Sequence, residues 1–239
     1  MYYNQRDYSG IPYPAPGYED ATVKTSGCGP CCASMIVEAL AGESFPPGLS
    51  APYAIKAGAR ISGGTSMKTL SQHISADKGI GCRTSNNVSE LAAHLKSGGW
   101  GVVNVGGDRS SHIGLFSDGG HYVVARALAA DGRIIVWDPN NYSGKYDKAG
   151  RRGKVEIIGD DIYASQENVA LDAQSRNPGY YLFSRKEAPD MNENDKPSAW
   201  AEESWKKAVE KKILDGESPQ SPLTREQLAV VLDRLGLLK

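Results

Sequence analysis

Gly27-Cys28-Gly29-Pro30 stands immediately before a run of apolar residues at helical spacing, and Gly120-His121 and Trp137-Asp138-Pro139 follow it downstream in that order. A thiol, an imidazole and a carboxylate are the groups that nucleophilic acyl transfer needs. The thiol attacks a carbonyl carbon, the imidazole takes and returns the proton, and the carboxylate fixes the ring and stabilises its cation. The thiolate is the reactive form of cysteine, and the first turn of a helix favours it through unpaired backbone N–H groups and the positive end of the helix dipole. Cys28 is expected at such a place. Cys31, Cys32, Met35, Ile36, Ala39 and Leu40 recur at spacings of three and four, which predicts a helix, and Gly42 supplies its stop.

The base and the carboxylate have to be brought together by the strands that carry them. Val102-Val103-Asn104-Val105, the stretch His121 to Leu128 and the stretch Arg133 to Trp137 are rich in strand-forming residues, and Asp131-Gly132 marks a turn between the last two. An antiparallel hairpin is expected. If its loop holds two or four residues, odd positions on the first strand pair with even positions on the second, and His121, Asp138 and Asn140 share a face. Asn140 is therefore an alternative to Asp138 as the group that orients the base. A developing oxyanion needs donors; the backbone N–H of Cys28 is one, and Gln5 is the candidate for the other.

The bulk properties remove several function classes. The chain of 239 residues has a formal net charge of -1 and no run of basic residues, so it lacks the electrostatic footprint of a nucleic-acid binder. No stretch approaches the roughly 18 apolar residues of a membrane span, and Met1 to Asp7 contains no apolar signal core. The expectation is synthesis in the cytoplasm without a signal peptide. Cys28, Cys31 and Cys32 crowd together in a pattern unsuited to a disulfide framework, so the cysteines are read as reduced, with Cys31 and Cys32 on the core face of the helix and Cys82 as an inert thiol. No cofactor or metal is expected: a zinc site on Cys28, Cys31 and a histidine lacks further ligands at sensible spacing. Cys28-Gly29-Pro30-Cys31 also matches a thioredoxin-type C-x-x-C, but Ala21 to Ser26 before it is polar and small where an apolar strand would be needed. His73 and His94 fall in helical patterns, and His112 is close enough in sequence to His121 to be weighed as a cleft residue.

Residues 1–186 mix helical and strand patterns as one α+β domain does. Residues 187–198 are polar, contain two prolines and read as a linker. In the module at 199–239, Trp200, Trp205, Ala208, Val209 and Ile213 predict one amphipathic helix with the tryptophans packing on it. Thr224 and Gln227 form a capping box that opens a second, with Leu228, Val231, Leu232 and Leu235 as its apolar stripe. A pair of this size buries little by itself, so docking on the main domain, on a second copy of the chain or on a surface is expected.

On Tyr3-Asn4-Gln5, Ser26-Gly27-Cys28-Gly29-Pro30, Gly64-Thr65-Ser66-Met67, Gly119-Gly120-His121-Tyr122-Val123-Val124 and Val136-Trp137-Asp138-Pro139, residues 2–183 resemble the papain-fold cysteine peptidases related to the bacteriocin leader peptidases, the stand-alone subgroup of cysteine family thirty-nine. The resemblance implies a papain-like α+β fold, with the nucleophile on an N-terminal helix packed against an antiparallel sheet. It also implies Cys28 as nucleophile, His121 as base, Asp138 as orienting residue and Gln5 as oxyanion donor. Cys31 and Cys32 stand where the family has small or hydroxylated residues, and Met67 where an aromatic is commoner, which bears on the substrate pocket. Residues 199–236 resemble a single S-layer-homology motif, through Trp200-Ala201, Ile213-Leu214-Asp215-Gly216, Pro222-Leu223-Thr224-Arg225-Glu226 and Asp233-Arg234-Leu235. A lone copy of it after a lytic domain is similar to the arrangement in some bacteriophage endolysins of Gram-positive hosts. The implied function is a cysteine-dependent peptidase or amidase of bacterial cell-wall peptides, acting at the wall after release, with peptidoglycan as substrate and homo-oligomerisation open. Acyl transfer on a non-wall peptide is the alternative, ahead of an oxidoreductase or an inactive wall-binding protein.

Overall fold

Val102 and Val103 project to opposite faces of the central sheet, yet neither is exposed, so the strand that carries both is covered by helices on two sides. In this computed structural model, residues 1–186, 197–211, 213–214 and 225–238 are described, and the chain divides into two units, Met1–Arg185 and Lys186–Lys239. The first unit opens with a 3-10 turn at Gln5–Asp7, followed by α1 (Val23–Ser26), α2 (Cys28–Ala41), α3 (Pro47–Lys56), β1 (Arg60–Ile61), β2 (Gly64–Thr65) and α4 (Met67–Asp77). It continues with β3 (Ile80–Ser85), α5 (Val88–Lys96), β4 (Trp100–Val105), β5 (His121–Leu128), β6 (Ile134–Trp137) and a 3-10 turn at Lys145–Asp147. β7 (Val155–Ile158), β8 (Asp161–Ala164), α6 (Gln166–Ala173) and β9 (Tyr180–Arg185) complete it. This is a mixed α+β architecture around a seven-stranded antiparallel sheet of order β3-β9-β4-β5-β6-β8-β7.

The two faces of the sheet bury alternate residues of the same strands. Val102, Val124, Tyr181 and Phe183 pack with α2, α3 and α4, whereas Val103, Val123, Tyr180 and Leu182 pack with α5 and α6. That is why the central strands read as continuous apolar runs rather than as alternations. Ten of the 14 residues of α2 are buried, including Cys31, Cys32, Met35 and Ile36, so packing rather than helix propensity holds this helix. Each such large side chain contributes about 1.5–3 kcal/mol by burial. Gly42 ends α2 in the left-handed conformation, φ 72°, as the sequence predicts.

Two glycines next to Cys28 are required by space. A Cβ on Gly27 would lie 2.4 Å from the carbonyl oxygen of Val23, and one on Gly29 would lie 2.4 Å from the side chain of Thr65. Thr65 Oγ1 in turn meets the Tyr13 hydroxyl at 2.8 Å, and Ser66 caps α4 by accepting from the Thr69 N–H at 3.3 Å. The Gly64–Met67 motif is thus packing and capping, and Met67, at 1 % exposure, belongs to the core.

The hairpin departs from the expected loop. Ala129 pairs with Arg133, so the loop consists of Ala130, Asp131 and Gly132, three residues, with Gly132 at φ 84°. A three-residue loop pairs odd with odd, as in Ala127 opposite Ile135, and carried to the strand end it would put Asp138 on the face away from His121. A β-bulge at Arg126 inserts one residue and restores odd-with-even pairing, with Ala125 opposite Val136 and Val124 opposite Trp137. The bulged Arg126 is held by Asp161, to which its Nε donates at 2.7 Å, and its guanidinium lies 5.1 Å from the centroid of the Trp137 ring, whose Nε1 also donates to Asp161 at 2.7 Å.

The second unit contains α7 (Glu202–Glu210) and α8 (Arg225–Arg234). Trp200 precedes α7 and is 90 % exposed, so it is not the helix-packing residue predicted; Trp205 is half-buried. Ile213 also falls outside the helix, so the apolar pattern overestimates its length at both ends. Thr224 and the side chain of Gln227, and with them the capping box, lie outside the described residues, as do residues 187–196 of the linker.

Candidate active site

Cys28 is the first residue of α2, so its backbone N–H has no carbonyl partner within the helix. Cys28 is half-buried, and none of the four cysteines forms a disulfide. His121 is the first residue of β5 and is 6 % exposed, and Asp138 follows directly after β6 with no exposure. His121 Nε2 lies 2.8 Å from Asp138 Oδ1. With Nε2 committed, Nδ1 is the ring nitrogen left for Cys28, which interacts with the imidazole both as a hydrogen-bond partner and as a charge.

The electrostatics favour a thiolate beside an imidazolium. Burial works to raise the Cys28 pKa, but the hydrogen bond and charge of His121, with the backbone N–H groups of Tyr122 and Gly29, outweigh it and hold the thiol below its ordinary value. Burial alone would lower the His121 pKa; Asp138 and then Cys28 raise it to about 9. Asp138 is pushed up by burial and pulled down more strongly by Lys145 and His121, which keeps its carboxyl well below the usual carboxylate range. The neighbouring thiols contrast with this. Burial pushes Cys31 and Cys32 up, and Cys82 up to about 11, which disfavours their thiolates. Cys31, three residues on in the same helix, is fully buried, and no disulfide joins it to Cys28.

Asn140 does not orient the base. Its side-chain Oδ1 accepts from Arg6 Nη1 at 3.4 Å, and its contribution to the site is its backbone N–H, donated to Asp138 Oδ1 at 2.9 Å. Gln5 is buried at 5 % exposure and fastened at two points: its backbone N–H donates to the Pro139 carbonyl at 2.6 Å, and its Nε2 donates to the Lys24 carbonyl at 2.9 Å, four residues before Cys28. Its Oε1 is enclosed without a partner, and the second Nε2 hydrogen is uncommitted among the described hydrogen bonds. The Gln5 amide therefore sits between the loop after Asp138 and the approach to α2.

Several members of this constellation escape the sequence. Lys145 is 2 % exposed, and its ammonium donates to Asp138 Oδ2 and, at 3.0 Å, to the Asn140 carbonyl. Tyr146 donates its hydroxyl to the same Oδ2 at 2.7 Å, and the Tyr2 hydroxyl donates to the Asp138 carbonyl at 2.6 Å. Trp137 stacks edge-on between Tyr2 and Trp100, with ring centroids 6.0 and 5.4 Å away. Lysine and tyrosine in a polar loop carry no periodic signal, so nothing local marks them as buried.

His112 does not join the site. It bonds Asp172 of α6 at 2.7 Å. His94 reaches the Phe183 carbonyl at 2.8 Å, and His73 is exposed. Among the described residues no group of three or more His, Cys, Asp or Glu side chains could hold a metal, and no helix is long and apolar enough to cross a membrane. No protein-family model matches this chain, and no curated protein matches it in sequence.

Proposed function

We propose that the chain is a papain-like, cysteine-dependent hydrolase of bacterial cell-wall peptides, working through Cys28, His121 and Asp138. The observation that carries the acyl-transfer part is the chain of contacts from a half-buried thiol at a helix N-terminus, through one nitrogen of a buried imidazole, to a fully buried carboxylate on the other. In this reading the Cys28 thiolate attacks the carbonyl carbon, and the negative oxygen that develops is met by the Cys28 N–H and the free hydrogen of the Gln5 amide. His121 delivers its proton to the departing amine, leaving a thioester on Cys28. Water then attacks that thioester while His121 accepts its proton, and the acid and the free enzyme are released. Asp138 holds the ring and offsets the charge of the imidazolium throughout.

The wall as the place of action is supported by the resemblance of residues 199–236 to an S-layer-homology motif and by the exposed Trp200 within it, a large apolar side chain free for surface contact. Mass spectrometry of fragments released from purified Gram-positive peptidoglycan tests the whole reading. New amino termini or freed stem peptides are expected with the wild type and none with Cys28→Ala, and the fragment masses identify the bond. No release by a folded wild type overturns the wall substrate. Equal release by Cys28→Ala overturns the mechanism.

A further inference from the structure

Lys145 is a buried cation at the far side of the triad. It lies in the 3-10 turn after Asp138, and its ammonium is divided between the Asp138 carboxylate and the Asn140 carbonyl, with the Tyr142 and Tyr146 rings 5.8 and 5.7 Å away. Burying a lysine is costly unless its charge is matched, and here the match is the one carboxylate that the base also uses. Asp138 is fully occupied as a result. Oδ1 accepts from His121 and from the Asn140 N–H, and Oδ2 accepts from Lys145 and the Tyr146 hydroxyl.

We propose that Lys145 is a positioning residue that assigns Oδ2 of Asp138 to itself and Oδ1 to His121, and that by neutralising the carboxylate it sets the pH range over which Cys28 and His121 exist as an ion pair. This rests on the reading of Cys28 and His121 as nucleophile and base. Two consequences follow from the geometry. The carboxylate is locked by opposed donors, so the imidazole has one orientation available. The Asp138–Lys145 pair is close to neutral overall, so the thiolate does not face an uncompensated buried negative charge. The Tyr146 hydroxyl shares Oδ2 with Lys145 and the Asn140 N–H shares Oδ1 with His121, but both are neutral donors, so Lys145 and His121 are the groups ion-paired with the carboxylate. Burial raises Tyr2, Tyr13, Tyr122 and Tyr146 from N-terminal, β5 and loop positions, and Cys31 and Cys32 from α2, which leaves them neutral across the working range.

The test needs no substrate: the rate of Cys28 alkylation by iodoacetamide as a function of pH, with the modified cysteine identified by mass spectrometry and folding checked by circular dichroism. Removing a positive charge raises neighbouring pKa values and removing a negative one lowers them. Lys145→Met is therefore expected to move both limbs of the profile up by about one unit, Asp138→Asn to move both down, and the double variant to return towards the wild type. If Lys145→Met does not fold, the shift from Asp138→Asn to the double variant reads the same charge and must be upward. Limbs that stay in place while melting temperatures fall assign Lys145 to stability alone and overturn the proposal, as does a double variant displaced like a single one. A wild type that releases nothing from peptidoglycan leaves these profiles untouched, so failure of the wall reading is separable from failure of this one.

Discussion

Two histidine–aspartate pairs in this chain have nearly the same local geometry and different surroundings. His121 Nε2 meets Asp138 Oδ1 at 2.8 Å, and His112 Nε2 meets Asp172 Oδ1 at 2.7 Å; both carboxylates are fully buried. At the first pair the remaining ring nitrogen is left for a thiol, and an ammonium neutralises the carboxylate. At the second, Asp172 also accepts the backbone N–H groups of Leu115 and Phe116, at 2.7 and 2.8 Å, and neither residue is bonded to a thiol or an ammonium among the described residues. That pair fastens the glycine-rich loop between β4 and β5 to α6. A histidine–aspartate contact is thus not a catalytic signature by itself. In the proposed mechanism, the groups at its two open ends are what separate a pair that moves protons from one that holds a loop.

The sharpest way to break this comparison is to remove each histidine in turn. His121→Ala is expected to lower peptide turnover by about 10²–10⁴-fold, the usual contribution of a positioned acid–base group, whereas His112→Ala leaves the Cys28 alkylation profile in place and lowers only the melting temperature. Equal losses of turnover from the two variants would erase the distinction. The pH dependence sharpens it further. The His121 pKa is raised, so the imidazolium and the stability it contributes are fully present below about 6.5 and are lost as pH rises through about 9. The Cys28 thiol is lowered, so the thiolate is lost as pH falls through a value below its ordinary one. Turnover is expected to be greatest between these limits and to fall about tenfold per unit above the alkaline one, measured as kcat/KM against pH. Next in size, Asp172→Ala strands two backbone donors, at about 1–3 kcal/mol each, and a chemical-denaturation midpoint reads the loss. The smallest effect is expected at the hairpin. Gly132→Val forces a branched residue into the left-handed region at roughly 1–2 kcal/mol, with the limbs of the alkylation profile unchanged because the Arg126 bulge still sets the register.

The hairpin also shows how far the sequence carries. The strands and the turn at Asp131-Gly132 are legible from β-branched residues and turn chemistry, and the prediction that His121 and Asp138 share a face agrees with the structure. The route differs, because a three-residue loop and a bulge each shift the pairing by one and their effects cancel. Alternation alone cannot reveal a bulge, since Arg126 reads as an ordinary polar strand residue until Asp161 and Trp137, distant in sequence, are beside it. The same holds for Asn140, excluded as the orienting group because its side chain turns to Arg6.

Composition, periodicity and local spacing determined the α+β character, the extent of α2 with Cys28 at its start, the left-handed stop at Gly42 and the strands that carry His121 and Asp138, because these depend on interactions within a few residues of chain. Tertiary structure alone decided that Arg126 would reset the register, that Tyr2 and Gln5 would be fastened to the Asp138 loop, that His112 would hold a loop and that Lys145 would be buried against Asp138. Each of these depends on desolvation and charge pairing between segments far apart in sequence, and a polar residue shows no sign of its burial until its partner has been folded against it.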